Sequence, residues 1–155
     1  EAISHALAAK EYARAAGLIE RIFPTLSRSR QEAILLGWLR ALPEALIRQR
    51  PVLCNLFAGV LLQTNEPESV ESWLNAAEEW LASPAGPPTP LGTRPAGLVV
   101  VNEDEFRRLP SAVAIHRAGQ TLMLGKVADT IQHARRALEL APEDDYLGRG
   151  GATTL

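Results

Sequence analysis

What most constrains this chain is a helical apolar pattern that recurs 60 residues apart. Gly125 and Pro142 bracket one copy, in which Ile131, Ala134, Ala137 and Leu138 fall at i, i+3, i+6 and i+7 on a single helix face. The alanines on that face let a neighbouring helix come close. A shift of 60 residues places Gly59 on Gly119, Leu62 on Leu122, Asn65 on Gly125, Val70 on Thr130, Leu74 on Ala134 and Ala77 on Ala137. The hairpins match, whereas the stretches between them do not. A single helix hairpin cannot bury its apolar face alone, so the pattern predicts stacked hairpins in one domain over residues 1–155.

The rest of the chain carries the same punctuation. Helices are expected over 1–9 and 11–25, the second with a stripe of Tyr12, Ala15, Ile19, Ile22 and Phe23. A polar joint from Ser27 to Arg30 leads to a helix over 30–42, built on Ile34, Leu35, Trp38, Leu39 and Leu42. Pro43 opens a short helix and Pro51 opens the next, over 51–64, because the fixed φ of proline suits a first turn. Pro67 opens a helix over 67–82 with Val70, Trp73, Leu74, Ala77 and Leu81 on its stripe. Five prolines between 84 and 95 exclude regular structure, so a loop is expected at about 83–102. Leu98 to Val101 lacks a partner strand and is expected to run extended against the helices. A short helix from Glu103 to near Leu109, a second over 112–124 after Pro110 and a third over 126–141 follow, and Asp144 and Asp145 start one more.

Composition narrows the functional classes. A formal charge of −2 argues against a surface devoted to nucleic acid, so no direct nucleic-acid contact is expected. Arg107-Arg108 and Arg135-Arg136 read as solvated helix faces. The single cysteine, Cys54, excludes a disulfide framework and serves as a small hydrophobe between Leu53 and Asn55. The longest apolar run, Val52 to Leu62, is interrupted by Asn55 and falls short of the about twenty residues that span a bilayer, so no membrane association is expected. The chain shows neither an initiating Met nor a signal-peptide pattern, and it reads as a piece of a longer cytoplasmic protein.

Catalytic chemistry is not expected. Cys54 has no base near it in sequence, and Glu78-Glu79 and Glu103-Asp104-Glu105 read as solvated surface. His116 and His133 can approach each other across the last hairpin, but without a third ligand they make no zinc site, and His5 belongs to the surface. Trp38 and Trp73 sit on apolar stripes and belong to the core, Trp80 less so.

Several segments together resemble the tetratricopeptide-like sensor region of MalT-like, LuxR-type bacterial transcription regulators. They are Ala2 to Ala9 with Tyr12 to Ala16, Leu39 to Glu44 with Arg50-Pro51, Val101 to Pro110, and His133 to Asp145. The resemblance implies an all-α, right-handed superhelix of antiparallel helix hairpins. It also implies that an N-terminal signalling ATPase and a C-terminal DNA-binding helix-turn-helix lie outside this chain. ATP is expected only in that missing N-terminal module, and no cofactor is expected here. Gly119 to Gly125-Lys126 does not make a phosphate loop, since five residues separate the glycines and Val127 stands where Ser or Thr would bind Mg²⁺. Thr130 replaces the alanine of the family pattern at the tightest point of its helix, and Ala118-Gly119 shifts the usual glycine by one.

In such stacks the first helix of each hairpin lines a concave groove. The resemblance therefore puts Asn55, Gly59, Leu62 and Gln63 from one hairpin, with Ile115, Gly119, Leu122 and Met123 from the next, against a small-molecule inducer or a protein or peptide partner. Asn55 and Gln63 supply hydrogen bonds there, and the glycines admit close approach. Chaperone-type clamps for a peptide C-terminus need Lys and Asn on this face, and Asn55 and Gly59 occupy those places. An end layer of such a stack also favours self-association. The expected function is a ligand-sensing or protein-interaction arm of a LuxR-type regulator, and the alternative is an interaction scaffold unrelated to transcription.

Overall fold

A computed structural model describes residues 1–26, 31–82, 97–142, 150 and 153. Eight α-helices are formed by these residues: α1 (Ala2–Ala8), α2 (Tyr12–Leu26), α3 (Glu32–Arg40), α4 (Glu44–Arg48), α5 (Pro51–Gln63), α6 (Glu71–Leu81), α7 (Glu103–Met123) and α8 (Val127–Leu140). No strand occurs among the described residues. No helix among them is long and apolar enough to cross a membrane. The expected joint at Ser27 to Arg30, most of the Pro-rich loop and the expected helix start at Asp144 lie outside the described residues.

Three tight turns share one backbone design. After α1, the N–H of Lys10 donates to Leu7 O at 3.0 Å and that of Glu11 to Ala6 O at 2.8 Å. After α5, Asn65 donates to Leu62 at 3.1 Å and Glu66 to Leu61 at 2.8 Å; after α7, Gly125 donates to Leu122 at 3.0 Å and Lys126 to Thr121 at 2.8 Å. These paired bonds satisfy the last helix carbonyls and require a left-handed residue, found at Lys10 (φ 58°), Asn65 (φ 63°) and Gly125 (φ 72°). The α5–α6 and α7–α8 hairpins thus turn at the positions the 60-residue match pairs. Lys10 offers no such cue, because lysine gives no preference for a left-handed backbone.

Helix α5 is the centre of the molecule. Every residue from Pro51 to Leu61 is buried, and α2, α3, α4, α6 and α7 all pack on it. Pro51 occupies its first turn and sets its start. Leu53, Val60, Leu39, Ile19 and Leu74 are at most marginally accessible, and burying each contributes about 2 kcal/mol. Ala58 and Ala77, with no accessible surface, allow the close approach their size predicts. Trp38 and Trp73 pack against this core, and Phe57 lies 4.7 Å from Trp73 between ring centroids.

The extended segment before α7 behaves as its sequence predicts. Leu98 and Val100 pack on the core, while the N–H of Val99 donates to Gln49 O at 2.9 Å. Asn102 then caps α7, its Oδ1 accepting from the N–H groups of Asp104 and Glu105. From there the structure departs from the expectation of two helices broken at Pro110. A single helix runs from Glu103 to Met123 with Pro110 inside it. An interior proline costs roughly 3 kcal/mol. Phe106, Leu109 and Val113, all buried on one stripe, offset that cost because a break would expose them.

Helix α8 packs only on α7 among the described elements. Its apolar contact is a small separate cluster of Ala114 and Ala137, flanked by Ile115 and Leu138. Polar contacts supplement it: Ser111 Oγ donates to Ala137 O at 3.0 Å, and the hydroxyls of Thr121 and Thr130 lie 3.0 Å apart. Thr130 is buried at this contact and satisfies its hydroxyl on Lys126 O at 3.0 Å.

The shared turn geometry gives a direct test. Replacing Gly125 by Ala forces a Cβ into the left-handed region and should lower unfolding stability by about 1 kcal/mol. Asn65→Gly relieves the same strain and should be neutral or stabilising, both read by urea denaturation.

Candidate functional site

The junction between the two matched hairpins is where α5 meets α7. The His116 ring of α7 sits over Gly59 of α5: a Cβ on Gly59 would lie 2.8 Å from Nε2 and 2.9 Å from Cε1. One turn back, Asn55 Oδ1 lies 2.8 Å from His116 Nδ1. An amide oxygen only accepts, so Nδ1 carries the proton and donates. Burial pushes the imidazole down to about 4, and the ring is neutral at physiological pH. Farther along, a Cβ on Gly119 would meet Leu62 Cδ1 at 3.4 Å, so both glycines lie at this crossing.

A second contact joins α6 to α7. Arg117 is 13% exposed and reaches three residues spaced along α6. Its Nε and Nη2 donate to Glu78 at 3.1 and 2.7 Å, its Nη1 donates to Glu71 at 3.1 Å, and its Nη2 also donates to Asn75. The Glu78 hydrogen bond leads in raising the affinity of the guanidinium for its proton. Burial works against ionisation of Glu71, but the hydrogen bond and charge of Arg117 outweigh it and hold that carboxyl below its usual range. Gln120 completes the junction by donating Nε2–H to Pro67 O at 3.1 Å.

Beyond this clamp lies a groove of about 890 Å³ between α6, α7 and α8. Leu81 and Ala82 line it from the end of α6, Val113 and Arg117 from α7, and Ile131 and Gln132 from α8. Arg135, Arg136 and Glu139 bring charge to its α8 wall. The mixture of an apolar surface with a few polar groups suits a peptide segment or an amphipathic small molecule.

None of the eight residues assigned to a concave groove lines this one. Asn55 and Gly59 are inside the molecule, engaged with His116, so they are not open to a ligand. Gln63 is exposed at the end of α5, Ile115 and Gly119 are half-buried on α7, and Met123 is 42% exposed near the turn. The physical reason is that α5 is covered on all sides, whereas a groove-lining helix needs one open face. Gly119 lies within α7 and Gly125 in a hairpin turn, so the two do not frame a phosphate loop.

Other candidates resolve into structural roles. Cys54 is buried, its Sγ–H donates to Ile47 O at 3.2 Å, and burial pushes the thiol up to about 12. It stays a thiol and is a poor nucleophile. His116 faces α5 and His133 lines the groove, and no cluster of three metal-ligating side chains occurs among the described residues. Trp80 donates its indole N–H to Arg48 O at 2.7 Å, while Arg48 lies over the Trp73 ring at 5.3 Å. Sequence reasoning missed the Arg117 clamp and the buried pair of Glu20 and Arg50, 3.1 Å apart. Burial raises the Glu20 carboxyl even though Arg50 pulls the other way, and its Oε2 has no hydrogen-bond partner among the described residues. The i, i+4, i+7 spacing of Glu71, Asn75 and Glu78 was the available signal for the clamp.

No family model, curated protein or solved structure gives a significant match to this chain.

Gly59→Ala should clash with the His116 ring and cost about 1–3 kcal/mol of unfolding stability, and His116→Ala in the same chain should recover part of it. A second outcome concerns pH. His116 titrates near 6.5 when unfolded and about 4 when folded, so its contribution is intact above pH 6.5 and is lost as pH falls through 4. The loss approaches about 3 kcal/mol and should be absent in His116→Gln. The raised Glu20 carboxyl acts oppositely: its contribution is full below 4.5 and declines as pH rises through its folded value. Urea titrations of both chains from pH 7 to 4 therefore isolate His116 by difference.

Proposed function

We propose that this chain is a non-catalytic interaction arm that receives a partner segment or a small ligand in the groove between α6, α7 and α8. The groove itself carries the reading: about 890 Å³ of space bordered by apolar side chains and by the charges of Arg135, Arg136 and Glu139. The inert thiol of Cys54 and the proton-poor, hydrogen-bonded His116 support a binding role over a chemical one. The antiparallel helix hairpins fit the resemblance to the sensor region of MalT-like, LuxR-type regulators, in which such hairpins wind as a right-handed superhelix. In that setting ATP hydrolysis and promoter contact belong to other modules of the regulator, in the cytoplasm of a bacterium.

The way α8 is attached suggests how binding is transmitted. It packs on α7 alone, while α6 belongs to the main core. A ligand that touches α6 and α8 together favours one setting of α8 on α7 and shifts the population towards it. The shift is limited by the ligand's difference in affinity between the two settings.

The test is a thermal-shift panel of small sugars, amino acids and aromatic acids, run beside a display selection of random peptides. Wild-type chain is expected to return binders whose affinity falls about tenfold in Ala128→Trp, which fills the groove from an exposed helical position. Binders indifferent to that substitution place recognition elsewhere. A panel and a selection that both return nothing overturn the reading.

A further inference from the structure

The matched hairpins can be compared position by position, because they turn at equivalent residues with the same hydrogen bonds. On α6, the second helix of the first hairpin, Glu71, Asn75 and Glu78 grip Arg117 of the helix that follows. Sixty residues on, the same places on α8 hold Ile131, Arg135 and Leu138. Two carboxylates and an amide are thus replaced by two apolar side chains and a cation.

Ile131 and Arg135 are exposed at the border of the groove, while Leu138 turns inward against Ala114 and Ala137. Ile131 is 46% exposed and Val127, the equivalent of Pro67, is 61% exposed. Arg135 is exposed and makes no ion pair among the described residues, whereas its neighbour Arg136 is tied to Glu139 at 3.1 Å. Leu122, Met123 and Leu124 continue the exposed apolar surface into the turn beside Val127.

Resting on the reading of this chain as an interaction arm, we infer that the α8 face of Val127, Ile131 and Arg135 docks an amphipathic helix of another protein, one that brings apolar side chains and a carboxylate. Charge complementarity selects that occupant. A helix like α7, with a guanidinium at the Arg117 position, sets two cations together at Arg135 and is rejected. An acidic helix gains a charge-assisted contact there and covers Val127 and Ile131.

A displayed library of amphipathic helices of about 15 residues, randomised at their polar positions, tests this on the full chain. Helices selected on wild type are expected to be rich in Asp and Glu and to bind Arg135→Glu about tenfold more weakly. Selection on Arg135→Glu is expected to return Lys- and Arg-rich helices instead. Selected helices with no acidic bias and no response to Arg135→Glu overturn this inference while leaving the interaction arm standing. Failure to select any helix, with ligands still found in the groove, also overturns it; absence of every binder removes both. Sedimentation of the chain alone should show a monomer, and a dimer dispersed by Ile131→Asp assigns the face to a second copy and overturns the inference.

Discussion

The seat of the His116 ring over Gly59 is the contact on which the arrangement of the hairpins depends. It works only because residue 59 has no side chain, since any Cβ there falls within 3 Å of the ring. The Asn55 hydrogen bond then sets the ring's orientation and tautomer, and the neighbouring glycine at 119 lets Leu62 approach from the opposite helix. Steric fit and a single polar pairing together determine where α7 lies along α5. Removing either one leaves the apolar burial almost unchanged but relaxes its register.

Polar contacts at the α6–α7 junction add to that specificity. Sliding α7 by one turn, about 5.4 Å, would strand Arg117 away from Glu71, Asn75 and Glu78 and leave a largely buried guanidinium without partners. Exposed ion pairs elsewhere, such as Arg14 with Glu11 or Arg48 with Glu44, carry no such consequence because water replaces either partner. The main core around α5 supplies most of the burial, while the clamp and the histidine seat decide which geometry that burial adopts. Helix α8 stands apart from both, held by a small alanine cluster and three hydroxyls. Because it packs on α7 alone, one face of α8 and the adjoining groove stay open.

Much of the helical order was legible in the chain. Apolar stripes marked α2, α3, α6 and α8, Pro43 and Pro51 marked helix starts, Pro67 opened a short 3-10 turn ahead of α6, and Asn65 with Gly125 marked equivalent turns. Pro110 misled because a local rule about proline competes with burial of Phe106, Leu109 and Val113, which is a tertiary quantity. Asn55 and Gly59 misled for a related reason. A polar residue and a glycine on a helix read equally well as a ligand site or as the seat of another side chain, and the seat is formed by a residue 61 positions away.

By itself, then, the sequence determined most of the helices, the hairpin pairing at α5–α6 and α7–α8 and their equivalent turns, because spacing and backbone preference act over a few residues. The tertiary structure alone decided which helix is enclosed, that Arg117 and His116 hold the hairpins in register, and that the open groove lies at α6, α7 and α8. Those outcomes depend on which side chains meet across distant segments, and apolar periodicity marks a face for burial without naming what will cover it.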